Sequence, residues 1–480
     1  MSKKTRVRIA PSPTGDPHIG TAYTALFNFA FAKKNKGDFV LRIEDTDQAR
    51  LVDNSEEEIY KALDWLGLIP DESPIKGGPF KPYKQSERLS EYKKYAEELV
   101  EKKNAFYCDC SSERLQKVRD EQQKAGVVPH YDGKCKNDPP KDLSKCVIRL
   151  NVPDTGTTSF QDVIRGEITF KNADIDDQVL MKSDGFPTYH LASVVDDHEM
   201  EISHVIRGEE WLSSTPKHVL LYQAFAWPPP IFAHLPLLRN PDKSKLSKRK
   251  NPTSVLWYRE AGYLPEALRN FLALMGWSMP DGKEVFSLDE FIKNFDLKRV
   301  DPAGPVFDTT KLDWMNGEYI RALPFEDIAD RIVTGKFSKY SKEQIIGKLP
   351  LVRDRMKKLV DFDLLTNYFF EKDINVSAEL ILKVSGHDSL GTVAALRQVS
   401  KDLTSISPEN WGTAGIESVL EERQKELDWS KTELFQTTRV AVSGSTSTPP
   451  LGDTLAAIDQ GTVISRTNQA VSALQENPES

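Results

Sequence analysis

Two short segments of the chain contain residues that could bind and activate a nucleotide. Pro11–Thr21 follows a strand-like stretch, precedes a helical pattern and contains His18 and Gly20. Backbone N–H groups at a helix N-terminus and an imidazole can bind phosphates, and a glycine leaves room for a flat ligand. Lys245–Arg249 has two lysines three residues apart that can follow charge as pyrophosphate leaves. Alone, each segment is also typical of a turn or a solvated loop.

A second set of reactive side chains is the group of four cysteines, Cys108, Cys110, Cys135 and Cys146. Four are too few for a disulfide framework in a chain of this length, which indicates a reducing compartment. Three thiolates on two turns suit tetrahedral Zn²⁺, and a small loop-rich segment gains stability from such a site. Reduced, metal-free thiols are the alternative. Cys146 precedes a strand and is predicted to be a core thiol.

The elements that position the first segment follow from hydrophobic periodicity. Arg6–Ala10 and Phe39–Ile43 read as buried strands, and Ile19–Lys34 between them reads as a helix. This β-loop-α-β order is typical of the start of a doubly wound fold. Asn54 and Ser86 are predicted to cap the next two helices.

The middle of the chain changes character and then returns to alternating elements. Short strands and turns from about Phe106 predict an insertion between two halves of the α/β domain. Strands and helices are predicted to alternate again over 179–182, 189–195 and 202–207 and to supply the rest of the parallel sheet. After about Arg321 the pattern is mainly helical, with helices predicted at 343–352, 355–370, 378–383 and 390–399.

Length and composition restrict the class of protein. The 480 residues predict about three to five domains, and 39% hydrophobic with 28% charged residues excludes wholesale disorder. The chain has no run of eighteen apolar residues and reaches a strand within a few residues of its start, so neither a membrane span nor a signal peptide is predicted. The net charge of −8 argues against coating nucleic acid by bulk attraction, although six cationic side chains lie within 239–250.

Several further blocks occur in a fixed order along the chain. They are Arg8–Gly15, Arg42–Asp47, Tyr83–Arg88, Pro187–Ala192, Val194–Asp197, Ile206–Glu210 and Lys311–Asn316. Together with the two nucleotide segments, they resemble class I aminoacyl-tRNA synthetases and, within that class, bacterial-type glutamyl-tRNA synthetases. His18–Thr21 is similar to the first class signature, with Thr21 where many members have a second histidine, and Lys245–Arg249 is similar to the second.

The resemblance implies an α/β Rossmann-like catalytic domain with an inserted α+β subdomain, followed by an all-α anticodon-binding region. The implied ranges are 1–75 and 185–240 for the catalytic domain, 76–184 for the acceptor-stem insertion, 241–321 for the stem-contact region and 322–480 for the anticodon region. The implied activity is ATP-dependent attachment of L-glutamate to tRNA(Glu) through glutamyl-adenylate, with release of pyrophosphate and AMP. The implied cofactors are ATP and Mg²⁺, with structural Zn²⁺ as a further candidate.

The resemblance also implies which residues do this work. The catalytic set is His18, Lys245 and Lys248. The ATP-binding set is Pro11, Gly20, Thr21, Ser247, Lys248 and Arg249. The glutamate-binding set is Arg8, Ser12, Glu44, Tyr189, Ser193, Arg207 and Glu210. Arg8 and Arg207, assisted by the Tyr189 hydroxyl, would hold the side-chain carboxylate, and Glu44 would meet the ammonium group; guanidinium groups suit carboxylates because they bind them bidentately.

Two further sites are implied by the resemblance. Cys108, Cys110, Tyr131 and Cys135 match the spacing of zinc ligands in related proteins, and Asn137 stands where some members have a histidine. Arg355 lies at the position of the arginine that tests the last anticodon base in discriminating members, and a solvated helix face is the alternative for it.

Four other functions fit part of the pattern. They are an enzyme that also charges tRNA(Gln), a glutaminyl-tRNA synthetase, a truncated paralogue that glutamylates a tRNA base, and a non-catalytic RNA-binding module. The helical C-terminal pattern argues against the second, and the roughly 160 residues after Arg321 argue against the third. The predicted protein is a cytoplasmic monomer without membrane contact.

Overall fold

The structure is a computed structural model that describes residues 4–126, 129–246 and 252–476, which form two units. The first unit contains the described residues up to 260 together with 264–315, and the second contains 261–263 and 316–476. The strap 261–263 is held in the second unit because the Gly262 carbonyl accepts the Leu359 N–H at 2.9 Å. Gly262 has a φ of +82°, and a Cβ there would lie 2.8 Å from the Val360 nitrogen, so only glycine fits.

The first unit begins with the predicted β-loop-α-β arrangement, which is confirmed. Strand β1 is Arg6–Ile9, helix α1 is Ile19–Lys34 and strand β2 is Asp38–Leu41. The two strands pair in parallel, with Arg6 opposite Asp38. Both are almost entirely buried, as expected for parallel strands covered on both faces.

The next two helices begin differently from the prediction. Helix α2, Ser55–Trp65, does follow Asn54, but Asn54 has a left-handed φ of +62° and its side chain does not cap the helix. Helix α3, Leu89–Glu101, begins after Arg88, so the predicted cap at Ser86 is wrong. Ser86 lies in a single turn instead, because its N–H donates to the Asp45 carboxylate at 2.8 Å.

The middle segment forms small antiparallel sheets and short helices, in line with the predicted insertion. In chain order its elements are β3 Ala105–Cys108, α4 Ser112–Lys124, α5 Lys134–Asn137, β4 Val147–Leu150, β5 Thr157–Asp162, β6 Gly166–Lys171 and β7 Val179–Met181. Strands β3, β4 and β7 make one sheet, and β5 and β6 form a hairpin. The prediction that 179–182 joins the parallel sheet is wrong, because β7 pairs antiparallel with β4.

The parallel layer resumes after the insertion. Its elements are α6 Tyr189–Glu199, β8 His204–Gly208, α7 Thr215–Ala224 and β9 Ile231–Leu235. Strands β8 and β9 are parallel, and β5 joins the free edge of β9 through the Asp162–Phe232 pair. β8 also lies beside β1, because the Ser203 N–H donates to the Arg6 carbonyl at 2.9 Å. The carboxyl ends of β1, β8 and β9 therefore lie near one another, whereas β5 ends level with the start of β9.

The rest of the first unit is helical. Its elements are α8 Val255–Glu260, α9 Pro265–Ala273, α10 Leu288–Asn294 and the start of α11, Thr309–Ala322. Helix α1 packs on α10 through edge-to-face contacts of Phe27 with Phe291 and Phe295, at 5.8 and 5.4 Å between ring centroids. This packing fixes the helix whose N-terminus carries the nucleotide segment.

All regular elements of the second unit's described residues are helices, as predicted for the C-terminal region. They are α12 Phe325–Thr334, α13 Lys342–Val352, α14 Asp361–Phe370, α15 Ala378–Ser385, α16 Ser389–Ser405, α17 Thr413–Leu427, α18 Lys431–Ser443, α19 Leu451–Ala456 and α20 Gln460–Glu476. The helix predicted from Arg355 is wrong at its start, because the Asp361 carboxylate accepts the Lys357 and Lys358 N–H groups and forms a turn there. Across the described residues, no helix combines the length and apolar composition needed to cross a bilayer.

Candidate active site

A cavity of about 700 Å³ opens at the carboxyl ends of β1 and β8. Ligands of open α/β sheets bind at this edge. Eleven of the residues singled out from the sequence line it: Arg8, Pro11, Ser12, His18, Gly20, Thr21, Glu44, Tyr189, Arg207, Glu210 and Lys245. Ser193, a residue of α6, is not among the lining residues, and its side chain is fully buried.

The nucleotide segment is held by the start of α1. His18 is the N-cap residue, and its Nδ1 accepts the Gly20 N–H at 2.9 Å, which points the opposite edge of the ring away from the helix. A Cβ on Gly20 would lie 3.0 Å from that same Nδ1, so a larger residue would disturb the imidazole. Lys245 also lines the cavity, whereas Ser247, Lys248 and Arg249 lie outside the described residues.

One wall of the cavity is built from arginines paired with buried carboxylates, and we call it the carboxylate-paired side. The guanidinium group of Arg8 donates twice to Asp197, at 3.0 and 3.2 Å. Arg42 donates to Asp197 at 2.7 Å and to Glu44 at 3.0 Å. Burial opposes ionisation of Asp197, but Arg8 and Arg42 hold its pKa below the ordinary value. Burial raises the pKa of Glu44, and Arg42 offsets part of that effect.

A second layer supports the same wall. Asp196, with a fully buried side chain, accepts from Gln85, Arg88 and Tyr92 at 2.8 to 2.9 Å. Its carboxylate also lies 3.6 Å from Arg42. The segments Tyr83–Arg88 and Val194–Asp197 thus supply the buried hydrogen-bond partners that surround Arg42 behind this wall.

A second wall contains Arg207, an arginine surrounded by neutral acceptors, and we call it the imidazole-paired side. Arg207 is 4% exposed, and each of its five N–H donors has an acceptor. These acceptors are His234 Nε2 at 3.1 Å, Tyr189 Oη at 2.7 Å, His218 Nδ1 at 3.5 Å, Thr215 Oγ1 at 2.8 Å and the Trp211 carbonyl at 3.4 Å. Among the described residues, no carboxylate lies within 4.0 Å of this guanidinium group.

The histidines on this side carry no charge at neutral pH. Burial lowers the pKa of His190 to about 3, and the positive charges of Lys217 and Arg207 add to that effect. Burial also lowers the pKa of His218 and of His234. The neutral histidines of the imidazole-paired side therefore neither cancel the positive charge of Arg207 nor add to it.

The cavity also contains residues that sequence reasoning missed. Trp211 packs on Tyr189 with 4.3 Å between ring centroids and an angle of 34° between the ring planes. Arg50 and Lys182 line the cavity and add two cations. Arg50 lies three residues beyond a shared block and Trp211 lies one residue beyond another, so extending those blocks could have found them. The buried histidines gave no such signal, because an imidazole in an apolar strand also fits a core.

The three clustered cysteines do meet in the first unit. The sulfur atoms of Cys108, Cys110 and Cys135 lie within 4.8 Å of one another. The Tyr131 hydroxyl is 3.5 Å from the sulfurs of Cys108 and Cys110. Asn137 takes no part, because its amide donates to the Gly133 carbonyl.

Cys146 does not belong to this cluster. Its predicted place in the core is wrong, because the residue is only half-buried and its thiol donates to the Asp142 carbonyl at 3.2 Å. The loop that precedes it is largely exposed, and this keeps the thiol near the surface.

In the second unit, Arg355 lies in the single turn Arg353–Arg355 and donates to the Ser447 hydroxyl at 2.6 Å. Arg439 of α18 donates to the carbonyl group of Pro449 at 2.7 Å. The two arginines thus hold one Ser/Thr-rich loop. Burial raises the pKa of Tyr368, and the charges of both arginines offset part of that rise.

Comparison with known proteins gives consistent matches over nearly the whole chain. Residues 4–314 match the family described as tRNA synthetases class I (E and Q), catalytic domain, and residues 310–471 match the anticodon binding domain. The glutamate–tRNA ligases of Acidothermus cellulolyticus and Thermus thermophilus are each 47% identical, covering 97% of this chain and 95% and 99% of theirs. A crystal structure of a glutamate tRNA ligase from Elizabethkingia meningosepticum in complex with its amino acid has a TM-score of 0.86 and is 36% identical, with 98% and 100% of the two chains covered.

Proposed function

The chain belongs to the glutamate–tRNA ligases, and from that membership we propose which of its residues perform each step of ATP-dependent glutamate attachment to tRNA(Glu). A glutamate carboxylate oxygen forms a bond to the α-phosphorus of ATP, and the bond to the pyrophosphate oxygen breaks. The terminal ribose hydroxyl of tRNA then attacks the carbonyl carbon of the adenylate, loses its proton and displaces AMP. Neither step needs a nucleophilic side chain, so positioning and charge stabilisation can provide the catalysis.

The nucleotide segments provide that stabilisation. His18, fixed by its bond to the Gly20 N–H, presents its ring to the phosphates at the start of α1. Lys245 brings a positive charge to the same cavity, and Lys248 is proposed to act with it. ATP in this family is used with Mg²⁺, which neutralises phosphate charge when bound. Pro11, Thr21, Ser247 and Arg249 are proposed to bind the rest of the nucleotide.

One observation supports a preference for glutamate over glutamine. The side chain of Arg207 is buried, and its charge has no carboxylate partner among the described residues. A buried cation of this kind favours a ligand that brings its own negative charge. Glutamate supplies a side-chain carboxylate there, whereas glutamine supplies a neutral amide. Burial raises the pKa of Tyr189, so its hydroxyl keeps a proton; the oxygen accepts from Arg207, and the proton is left to donate to the ligand.

The remaining amino-acid contacts are assigned to the other wall. Arg8, held by Asp197, is proposed to bind the substrate carboxylate together with Arg207, and Glu44 to bind the ammonium group. Ser12 and Glu210 line the same space. Ser193 is proposed to act only through the packing of α6, because its side chain is buried away from the cavity.

The cysteine cluster is proposed to hold a structural zinc ion. Its sulfur atoms are as close as tetrahedral coordination requires, since Zn–S bonds of about 2.3 Å place sulfurs roughly 3.8 Å apart. Tyr131 is proposed as the fourth donor because its hydroxyl faces two of the sulfurs. Purified, reduced full-length protein should contain about one zinc per chain. Cys135→Ser should abolish this content and Cys146→Ser should retain it; a wild-type protein that takes up no added zinc would contradict the assignment.

The regions that contact tRNA are proposed from the matched domains. The segment 76–184 would meet the acceptor stem, 241–321 the adjoining stem and 322–480 the anticodon, with Arg355 and the Ser447 loop near the last anticodon base. The free cysteines fit a reducing compartment, and the cytoplasm is proposed as the location of a monomeric enzyme.

The decisive experiment is aminoacylation of bacterial-type tRNA with labelled glutamate or glutamine, combined with pyrophosphate exchange with and without tRNA. Charging with glutamate alone, confined to tRNA(Glu), is the expected result. Glutamate charging of tRNA(Gln) as well would identify a non-discriminating enzyme. Glutamine charging would overturn the roles of Arg8 and Arg207, and tRNA binding without charging would identify an RNA-binding module.

A further inference from the structure

Arg207 is oriented by a chain of two buried residues that do not reach the cavity. Its Nε–H points to His234 Nε2 at 3.1 Å, and His234 Nδ1 lies 2.6 Å from a carboxylate oxygen of Asp162. The side chains of His234 and Asp162 are both completely buried. Neither residue lines the cavity.

The hydrogen-bond directions in this chain allow only one tautomer of His234. An arginine Nε–H can only donate, so His234 Nε2 must accept. The ring proton therefore lies on Nδ1, where it donates to Asp162. An ionised Asp162 can only accept, so the carboxylate selects the same tautomer that the guanidinium group requires.

Asp162 is itself fixed. Its other carboxylate oxygen accepts the N–H groups of Ile164 and Arg165, at 2.9 and 3.0 Å, in the turn between β5 and β6. Its backbone pairs with Phe232 of β9, two residues before His234. The hairpin of the inserted segment thus places a rigid carboxylate behind the arginine of the glutamate site.

We propose that Asp162 and His234 are positioning residues for glutamate recognition: Asp162 fixes the Nδ1-protonated form of His234, and His234 orients Arg207 without cancelling its charge. This inference rests on the proposed role of Arg207 in binding glutamate. A carboxylate in direct contact with Arg207 would orient it equally well, but it would compete with the substrate carboxylate. A neutral imidazole orients the guanidinium group and leaves its charge for the ligand.

The test compares two substitutions of His234 in the full-length enzyme. His234→Phe keeps the ring shape but removes the acceptor, and we expect the KM for glutamate to rise about tenfold or more while the KM for ATP changes by less than about twofold. His234→Gln restores an acceptor near the Nε2 position and should return the KM for glutamate to within about threefold of the wild-type value. His204→Phe is the matched control: it is a histidine of the neighbouring strand, away from the cavity, and should leave both KM values unchanged.

Asp162→Asn provides a second route if His234→Phe does not fold. The amide could donate to Nδ1 and drive the proton to Nε2, so the KM for glutamate should again rise about tenfold. In the double variant Asp162→Asn/His234→Gln, the KM for glutamate should be close to that of His234→Gln alone, because Asp162 acts on Arg207 only through His234.

The proposal is overturned if folded His234→Phe, or folded Asp162→Asn, binds glutamate as the wild type does. It is also overturned if His234→Phe and His234→Gln raise the KM for glutamate equally, or if the KM for ATP rises in parallel. These outcomes differ from failure of the proposed function, in which the wild-type protein itself would not charge tRNA with glutamate.

Discussion

The two walls of the cavity orient buried arginine side chains in different ways. On the carboxylate-paired side, Arg8 and Arg42 are oriented by Asp197, which also balances their charge. On the imidazole-paired side, Arg207 is oriented by His234, His218 and uncharged oxygens, which leave its charge in place. The difference shows that orienting a buried cation and neutralising it are separate operations. One wall gains rigidity from ion pairs, and the other retains attraction for an anionic substrate.

The strongest way to break the carboxylate-paired side is Asp197→Asn. The amide keeps the shape but leaves the buried guanidinium group of Arg8 without its counter-charge and Arg42 with only Glu44 and Asp196, so the free energy of unfolding should fall by about 3 kcal/mol. Urea denaturation measures this loss. Asp154→Asn is the matched control, since it removes an exposed ion pair with Lys136 and should leave stability within error. An equal, small effect of both substitutions would show that the buried pairs do not support this wall.

A substitution on the imidazole-paired side should affect the reaction more than the stability. Arg207→Gln removes the charge that has no carboxylate partner in the described chain, so kcat/KM for glutamate should fall about a hundredfold. The loss of unfolding free energy should be smaller than for Asp197→Asn, because no buried carboxylate is left unpaired. Charging assays with glutamate and glutamine, together with urea denaturation, check both parts. A larger stability loss than for Asp197→Asn would remove the contrast.

Lowering the pH should remove the stabilising contributions of the two walls over different pH ranges. The unfolded chain protonates His190 below about pH 6.5, whereas the folded protein does so only near its lowered pKa of about 3. Stabilisation by neutral His190 is therefore fully present above pH 6.5 and is lost as the pH falls, by up to about 1.4 kcal/mol per pH unit. Asp197, whose pKa is lowered, loses its contribution only at more acidic pH, below the ordinary value of 3.8.

His190→Gln tests this window, because the variant has no imidazole to protonate. Urea denaturation between pH 6.5 and 4.5 should show a shallower loss of unfolding free energy for the variant than for the wild type. Parallel curves would mean that His190 is not held in its neutral form by the fold.

Tyr189→Phe is expected to give the smallest effect. It removes the hydroxyl that accepts from Arg207 and donates to the ligand, while Arg207 keeps its other acceptors. The KM for glutamate should rise about tenfold, the lower end of what is expected for one hydrogen bond to a charged group. An unchanged KM would show that Tyr189 contributes packing against Trp211 rather than a proton.

Sequence reasoning was most successful where a motif is tied to the backbone. The β1–α1–β2 unit was predictable because a strand, a Pro/Gly-rich loop and a helix with apolar residues at helical spacing each leave a local pattern. Resemblance to relatives then brought Arg8, Glu44, Tyr189 and Arg207 to one cavity. Their roles stay predictions until the kinetic tests above.

The remaining features depend on contacts distant in sequence. The start of α3 was misplaced because Ser86 bonds to Asp45, forty-one positions away. Strand β7 was assigned to the wrong sheet because its partner is chosen by tertiary packing, not by its own pattern. His234 was overlooked because its role depends on Asp162, seventy-two positions earlier, and no local pattern records that bond.

The strap at Gly262 has a consequence for the order in which the protein is made. A ribosome completes the first unit's strands and helices up to Glu260 well before it reaches Leu359, whose N–H binds the Gly262 carbonyl. The Gly262 carbonyl therefore cannot accept its hydrogen bond until nearly a hundred further residues have been synthesised. Separating the two units by cutting the gene after Met315 would leave the C-terminal fragment without residues 261–263. Such a fragment would lack the Gly262 carbonyl that accepts the Leu359 N–H in the full-length chain.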